Sequence, residues 1–133
     1  MAQVARNSPD LDLKSARKAP QLSGLKAGAD LETGMPVRVD SNGEVVPSNA
    51  SADDANAQMD GIAARPATAG EPITVYGPGV RLQYNRSGSL TPGSTLFVAA
   101  ADGELDDTST TGDSTGVARA ISETDIVILR PNV

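Results

Sequence analysis

The sequence predicts a small, single-domain, mainly β fold: a barrel or sandwich of short strands with an internal duplication and an extended N-terminal arm. Three observations predict it. Apolar residues alternate with polar ones in short runs between glycines and prolines. One series of residues recurs about sixty positions later, and basic side chains are concentrated near the N-terminus. At 133 residues the chain fits one domain with one core.

Five short runs predict the strands. Each alternates apolar and polar residues over about six positions, and no stretch shows a long helical period. The runs are "MPVRVD" at 35–40, "PITVYG" at 72–77, "GVRLQY" at 79–84, "TLFVAA" at 95–100 and "TDIVIL" at 124–129.

The second half of the body repeats the first. Four residues recur at an offset of 59 and two more at an offset of 60, and "GIAAR" at 61–65 is echoed by "GVARA" at 116–120. The matched pairs are Leu31 and Leu90, Gly34 and Gly93, Val37 and Leu96, Val39 and Val98, Gly43 and Gly103, and Val45 and Leu105. Each copy is therefore predicted to run strand, tight turn, short strand, acidic loop, strand, turn, strand.

Two glycines mark the hairpin turns of the copies. Gly43 lies in "SNGE" and Gly103 in "ADGE". Asn-Gly and Asp-Gly are strong hairpin signals because the turn needs a positive φ angle. Both glycines are predicted to be structural turn residues.

The core must be built mainly from Val, Leu, Ile and Ala. The chain has no Trp, and its only aromatic residues are Tyr76, Tyr84 and Phe97. A thin core of this kind favours support from partner subunits. No window is apolar enough for a membrane span, and the first twenty residues lack the apolar centre of a secretory signal. We therefore expect no membrane partner.

Charge divides the chain into an arm, residues 1–20, and a body, residues 21–133. Residues 1–26 carry five basic and two acidic side chains, whereas residues 27–133 carry six and fifteen. An acidic body disfavours nucleic acid as a partner. The arm is too polar to pack as a core element, so we expect it to be disordered or ordered only against another surface. Ser8-Pro9-Asp10 has the pattern of a short helix start.

The residue types argue against an enzyme. Without His or Cys the chain lacks the commonest general base, the commonest zinc ligands and the usual nucleophile pairs. The acidic stretch "AAADGELDDTSTTGDSTG" at 99–116 departs from a calcium loop, because Asp107 stands where Gly is needed and Asp113 where Glu is needed. We therefore expect a solvated loop and no metal, cofactor or catalytic residue. At 51–60, "SADDANAQMD" predicts a helical turn or two.

Four phrases together resemble the capsid cement, or head decoration, proteins of tailed bacteriophages. They are "SGLKAGADLETGMPVRVDSNGEVV", "MDGIAARPATAGEPITVYGPGVRLQY", "LTPGSTLFVAAADGELDD" and "TGDSTGVARAISETDIVILR", and they span about residues 20–130. The resemblance implies a virion structural protein, made in the host cytoplasm, that binds the outer capsid surface. It implies stabilisation of the head by bridging neighbouring major capsid subunits, commonly as a homotrimer.

The family's N-terminal segments often act as arms along the shell. The basic arm of this chain occupies the matching place, although it is longer than a minimal member needs. Six arm residues are the candidate capsid contacts, four as charges and two leucines as apolar anchors: Arg6, Lys14, Arg17 and Lys18, with Leu11 and Leu13. The alternative is that they only keep a tail soluble.

Two other function classes stay open from the sequence. One is a structural protein elsewhere in a virion, such as a tail or fibre component, whose turn-rich sequences look alike. The other is a carbohydrate- or calcium-binding module that uses the acidic loops.

Overall fold

The computed structural model describes residues 3–133 and, within them, every side chain except that of Leu13. Twelve strands, one α-helix and one 3₁₀ turn at Ala55–Ala57 make up the fold. The strands are β1 (Gln3–Val4), β2 (Asp10–Leu11), β3 (Gln21–Ala27), β4 (Pro36–Val39), β5 (Glu44–Pro47), β6 (Gly61–Ala63), β7 (Pro72–Tyr76), β8 (Arg81–Gln83), β9 (Thr95–Val98), β10 (Leu105–Asp106), β11 (Ala118–Ala120) and β12 (Asp125–Ile128), and the helix is α1 (Leu13–Lys18).

The mainly β prediction is confirmed. Each of the five predicted runs contains a strand, namely β4, β7, β8, β9 and β12. The helical turn predicted within 51–60 is a single 3₁₀ turn whose N-cap is Asp54, with its carboxylate accepting from the backbone N–H of Asn56. Alternation over four to six residues was therefore sufficient to find these five strands.

The first half of the body forms a closed five-stranded barrel. Its strand order is β3-β5-β4-β6-β7, and β7 returns to β3. All contacts are antiparallel except one: β3 and β5 run parallel over two residue pairs, Lys26 with Glu44 and Ala27 with Val45. This short parallel contact closes the barrel at the last two residues of β3 and leaves the preceding residues of that strand without a partner on the β5 side.

The second half repeats that strand order in a curled, open sheet. The series β5-β4-β6-β7-β3 of the barrel corresponds to β10-β9-β11-β12-β8 of the second sheet, with the same antiparallel neighbours. Each copy thus has five strands in one chain order and one pairing order. The predicted duplication extends further than the sequence match indicated, because β3 and β8 add a leading strand to each copy.

The arm occupies the place where the second sheet would otherwise close. β1 pairs antiparallel with β10, and β2 pairs antiparallel with β8. Between these strands the backbone N–H of Asn7 donates to the carbonyl of Tyr84 at 2.9 Å. The second sheet is therefore completed by the arm, whereas the first closes on itself.

Two expectations for the arm are wrong. The helix start at Ser8-Pro9-Asp10 is instead a backbone turn leading into β2: Ser8 has a φ of 49°, and the helix cap is Asp12. The arm also packs on its own body, because Ala16 and Ala19 are buried in the core. These small residues, Ala16 on α1 and Ala19 directly after it, let a polar helix lie close to the sheet.

Two apolar clusters make up the core. The smaller fills the barrel and the larger lies under the second sheet, where it also takes in α1 and the residues that follow the first hairpin. Met59 and Ile62 of the first copy belong to this larger cluster, beside Tyr84 of the second. The two copies therefore share one core and form one unit. Among residues 3–133 no helix has the length and apolar character needed to cross a bilayer.

Candidate functional site

Arg6 joins the arm to both copies. Its side chain is only 6% exposed, and it lies between the two strands of the arm. Nη1 donates to the carbonyl oxygen of Gly103 at 2.7 Å, and Nη2 donates to Glu32 at 2.7 Å. Glu104 lies 3.9 Å from the same nitrogen. A guanidinium suits this place because its fixed fork of donors can reach several acceptors at once.

The surroundings of Arg6 shift three pKa values. Burial alone would lower the pKa of Arg6, but the hydrogen bond to Glu32 and the neighbouring acidic charges raise it above its ordinary value. Burial raises the pKa of Glu104, with Arg6 opposing the shift. Burial also raises the pKa of Tyr84 far above its usual range. Arg6 therefore stays charged and acts as an internal ion-pair partner.

The two predicted apolar anchors belong to the arm's own strand and helix. Leu11 lies on β2, opposite Leu82 of β8, and packs against the larger core cluster while half-buried. Leu13 begins α1, and its side chain lies outside the described residues. Leu11 is thus turned toward the protein's own sheet.

The other three predicted contact residues point into solvent. Lys14, Arg17 and Lys18 lie on α1 and are exposed. The helix is fixed at its start by Asp12, whose carboxylate accepts from the backbone N–H of Ser15 at 3.3 Å. Basic residues in its last turn are also favourable to the helix itself, because the carbonyl end carries partial negative charge.

An unpaired strand edge continues directly from this helix. β3 pairs with β7 at Gln21, Leu22, Leu25 and Lys26, with a bulge between Leu22 and Leu25, but it meets β5 only at its last two residues. Along residues 21–25 the other edge of β3 has no strand partner within residues 3–133, and Gln21 to Gly24 are exposed. Leu22 on this segment is 43% exposed. We call residues 21–25 the open β3 edge.

The acidic stretch 99–116 is only partly the solvated loop that we expected. Asp113 is 1% exposed, and its carboxylate accepts from the backbone N–H groups of Val98 at 2.8 Å and Gly116 at 2.9 Å. The first copy has an equivalent, because Asp60 accepts from the N–H of Val39 at 2.8 Å. In each copy, one carboxylate thus accepts a hydrogen bond from the backbone N–H of the last residue of the strand before the hairpin.

Asp106 is the second buried acid of the stretch. It lies on β10 between β1 and β9, and one carboxylate oxygen accepts from both the backbone N–H and the hydroxyl of Thr108 at 2.9 Å. The other oxygen is buried without a partner in the described chain. Asp102 and Asp107 are exposed, as expected. Within residues 3–133 no three acidic side chains are grouped as metal ligands would be.

Both predicted turn glycines have positive φ angles, 76° at Gly43 and 66° at Gly103. Their surroundings differ. A Cβ at Gly43 would meet nothing within 4 Å, whereas one at Gly103 would collide with the side chain of Met35 in the barrel. The N–H of Gly103 also donates to the carbonyl of Ser48 at 2.8 Å. The second hairpin therefore closes against the first copy.

The open β3 edge was missed by sequence reasoning because "QLSGLKA" alternates poorly and contains a mid-strand glycine with a φ of 78°. The carboxylate pair Asp60 and Asp113 was missed for another reason. The hydrogen bond spans 21 residues in the first copy and 15 in the second, so no constant offset relates the two acids. No protein-family model matches the chain, and no curated protein matches it.

Proposed function

We propose that this protein is a virion structural protein that binds the outer surface of an assembled tailed-phage capsid and bridges neighbouring major capsid subunits as a homotrimer. One observation carries the proposal beyond the sequence resemblance. An exposed basic helix face and an unpaired strand edge lie next to each other in a chain that is otherwise acidic. The helix face can attract an acidic surface, and the strand edge can pair with a further extended segment.

The helix supplies the attraction. Lys14, Arg17 and Lys18 are exposed on α1, and Lys26 is exposed at the far end of β3. Charges at the rim of an interface mainly raise the rate of capture and select the partner. An acidic patch on the capsid is the complement that this surface fits.

The open β3 edge supplies the template. Unpaired N–H and C=O groups along a strand accept a further extended segment, and native proteins usually protect such edges. Leu22 adds exposed apolar surface at the same place. We propose that an extended, acidic segment of the capsid subunit or of a neighbouring copy covers this edge.

The contact set is narrower than the arm as a whole. Arg6 is held by Gly103 and Glu32, and Leu11 packs on the protein's own core. Both residues therefore hold the arm in place, and the docking charges are Lys14, Arg17 and Lys18. A chain that lacks residues 1–20 would lose β1, β2 and Arg6 as well, so point variants test the proposal more cleanly.

In a trimer, individually weak contacts are sufficient for firm attachment to the capsid. Three identical surfaces on one particle act at high effective concentration, so their combined attachment exceeds that of each contact. The major capsid protein and further copies of this chain are the partners in this proposal, and the outer face of the virion is its location.

Co-sedimentation with undecorated capsids of the cognate phage tests the proposal. We expect the double variant Arg17→Gln/Lys18→Gln to bind at least about tenfold more weakly than the natural chain at low salt. The matched control is Arg86→Gln/Arg119→Gln, which removes the same charge from exposed sites outside α1.

Four outcomes would contradict the proposal in whole or in part. Equal weakening by both double variants would remove α1 as the docking face. No pelleting of the natural chain with capsids would refute the capsid function, and pelleting with isolated tails instead would favour the tail or fibre alternative. On decorated particles, copies that are not grouped in threes would contradict the homotrimer.

A further inference from the structure

A polar cleft of about 320 Å³ lies at the seam between the two copies. Its walls come from the β4–β5 hairpin, the loop after it, and the second copy's hairpin, and they are formed mainly by Arg38, Asp40, Pro47, Asn49, Asn56 and Asp102. We propose that this cleft binds a neutral, polyhydroxylated ligand, such as a monosaccharide or the end of a glycan.

Hydrogen bonds hold the lining side chains in position. Arg38 donates from Nη2 to Oδ1 of Asn56 at 2.8 Å, and Asn49 donates from Nδ2 to Oδ1 of Asp102 at 2.9 Å. Asp40 accepts through one oxygen from the backbone N–H groups of Asn42 and Glu44. A ligand would therefore meet side chains that are already ordered, which reduces the entropy cost of binding.

Unused acceptors remain in the same cleft. The Nε of Arg38 has no hydrogen-bond partner within residues 3–133, but it is buried and therefore closed to a ligand at the cleft surface. One oxygen of Asp40 and one of Asp102 make no hydrogen bond within the same residues and can accept from hydroxyl groups.

The charge balance selects the class of ligand. Arg38 disfavours a metal cation, and the carboxylates of Asp40 and Asp102 disfavour phosphate or another anion. Hydroxyl groups both donate and accept, so they match a guanidinium between two carboxylates without introducing charge. Neighbouring hydroxyls of a sugar ring suit the planar, two-atom ends of Asp, Asn and Arg side chains.

Size and surface agree with a small sugar. The cleft volume is near the lower end of ligand sites in proteins. Val46 and Pro47 supply a limited apolar wall, and no aromatic side chain lines the cleft. We expect binding of the free protein in the millimolar range, roughly −4 kcal/mol.

The test is an NMR titration of the whole ¹⁵N-labelled chain with D-glucose, D-galactose and N-acetyl-D-glucosamine. We expect at least one sugar to give saturable shifts in the backbone amides of residues 38–40, 46–56 and 102. The variant Arg38→Gln should weaken that binding about tenfold, since it removes a charged donor. Arg86→Gln, at an exposed site outside the cleft, should leave it unchanged.

A second variant keeps the proposal testable if Arg38→Gln does not fold. Asp102→Asn retains an acceptor for Asn49 and removes the charge, and it too should weaken sugar binding. No saturable shift with any of the three sugars would overturn the proposal. Shifts of the same amides by calcium chloride or inorganic phosphate in place of sugars would overturn it as well. The titration uses free protein, so its result is independent of capsid binding.

Discussion

At the scale of single residues, the duplication provides natural comparisons. Gly43 and Gly103 hold the same place in the two hairpins and have φ angles of 76° and 66°. Only Gly103 also touches the other copy, through the carbonyl of Ser48 and the side chain of Met35. Its carbonyl additionally accepts from Arg6. The second glycine therefore has a packing requirement that the first does not.

Gly103→Ala is expected to be more destabilising than Gly43→Ala. Both substitutions place a Cβ in the left-handed region, which costs about 1–2 kcal/mol. Gly103→Ala adds overpacking against Met35, on the order of 1–3 kcal/mol more. Urea unfolding of the two variants measures the difference. Equal losses of unfolding free energy would show that Met35 moves aside without cost.

Tyr84 links stability to alkaline pH. Its hydroxyl is buried without a hydrogen-bond partner in the described chain, and burial raises its pKa above the ordinary value of 10.0. Above about pH 10 the unfolded state loses this proton while the folded state keeps it, so stability falls as pH rises. Below that pH the stabilisation by this effect is complete.

Tyr84→Phe should therefore flatten the loss of stability between about pH 10 and 11.5. Thermal melts across this pH range provide the measurement. Tyr76→Phe, at the chain's other tyrosine, is the control. An unchanged alkaline slope in Tyr84→Phe would mean that other groups cause the loss.

At the scale of elements, the sequence predicted those strands in which apolar and polar residues alternate locally. The five alternating runs became strands because one face of each lies on a core. β1 and β2 have two residues each, and their pairing partners lie far along the chain, so no local pattern marks them. Among the candidate contacts, charge pattern could not distinguish the exposed Lys14, Arg17 and Lys18 from Arg6, whose guanidinium bonds to Gly103 and Glu32.

Removal of residues 1–11 should loosen the second copy more than the first. The shortened chain leaves β8 and β10 each without one neighbour, whereas the barrel keeps all of its strands. Hydrogen exchange is expected to rise in segments 81–83 and 105–106 and much less in 36–39 and 61–63, because exchange reports local opening. Arg6→Met in the full chain is expected to show the same pattern more weakly. A uniform increase in both copies would show that the arm stabilises the molecule only as a whole.

At the scale of the whole molecule, basic side chains are concentrated in the N-terminal segment and acidic side chains in the rest of the chain. The exposed cations of α1 stand beside the open β3 edge, and fifteen of the seventeen acids follow residue 26. Net negative charge favours repulsion between free copies of the chain, while the basic face remains exposed to a surface of opposite sign. Under the proposed function, this arrangement would draw each copy more strongly to the shell than to another free copy.

Bridging of neighbouring capsid subunits predicts an effect that attachment to a single subunit does not. A ligand that binds only the assembled state stabilises it by mass action, by about 2.7 kcal/mol per site at a hundred times the dissociation constant. Under the proposed function, the temperature at which cognate capsids break up should therefore rise with added protein until the sites are filled. Arg17→Gln/Lys18→Gln should need a higher concentration for the same rise, and Arg86→Gln/Arg119→Gln should not. Light scattering during heating follows the break-up. Saturated binding without any rise in the break-up temperature would mean that each copy binds a single capsid subunit. Only contacts that span two subunits are lost when the shell comes apart.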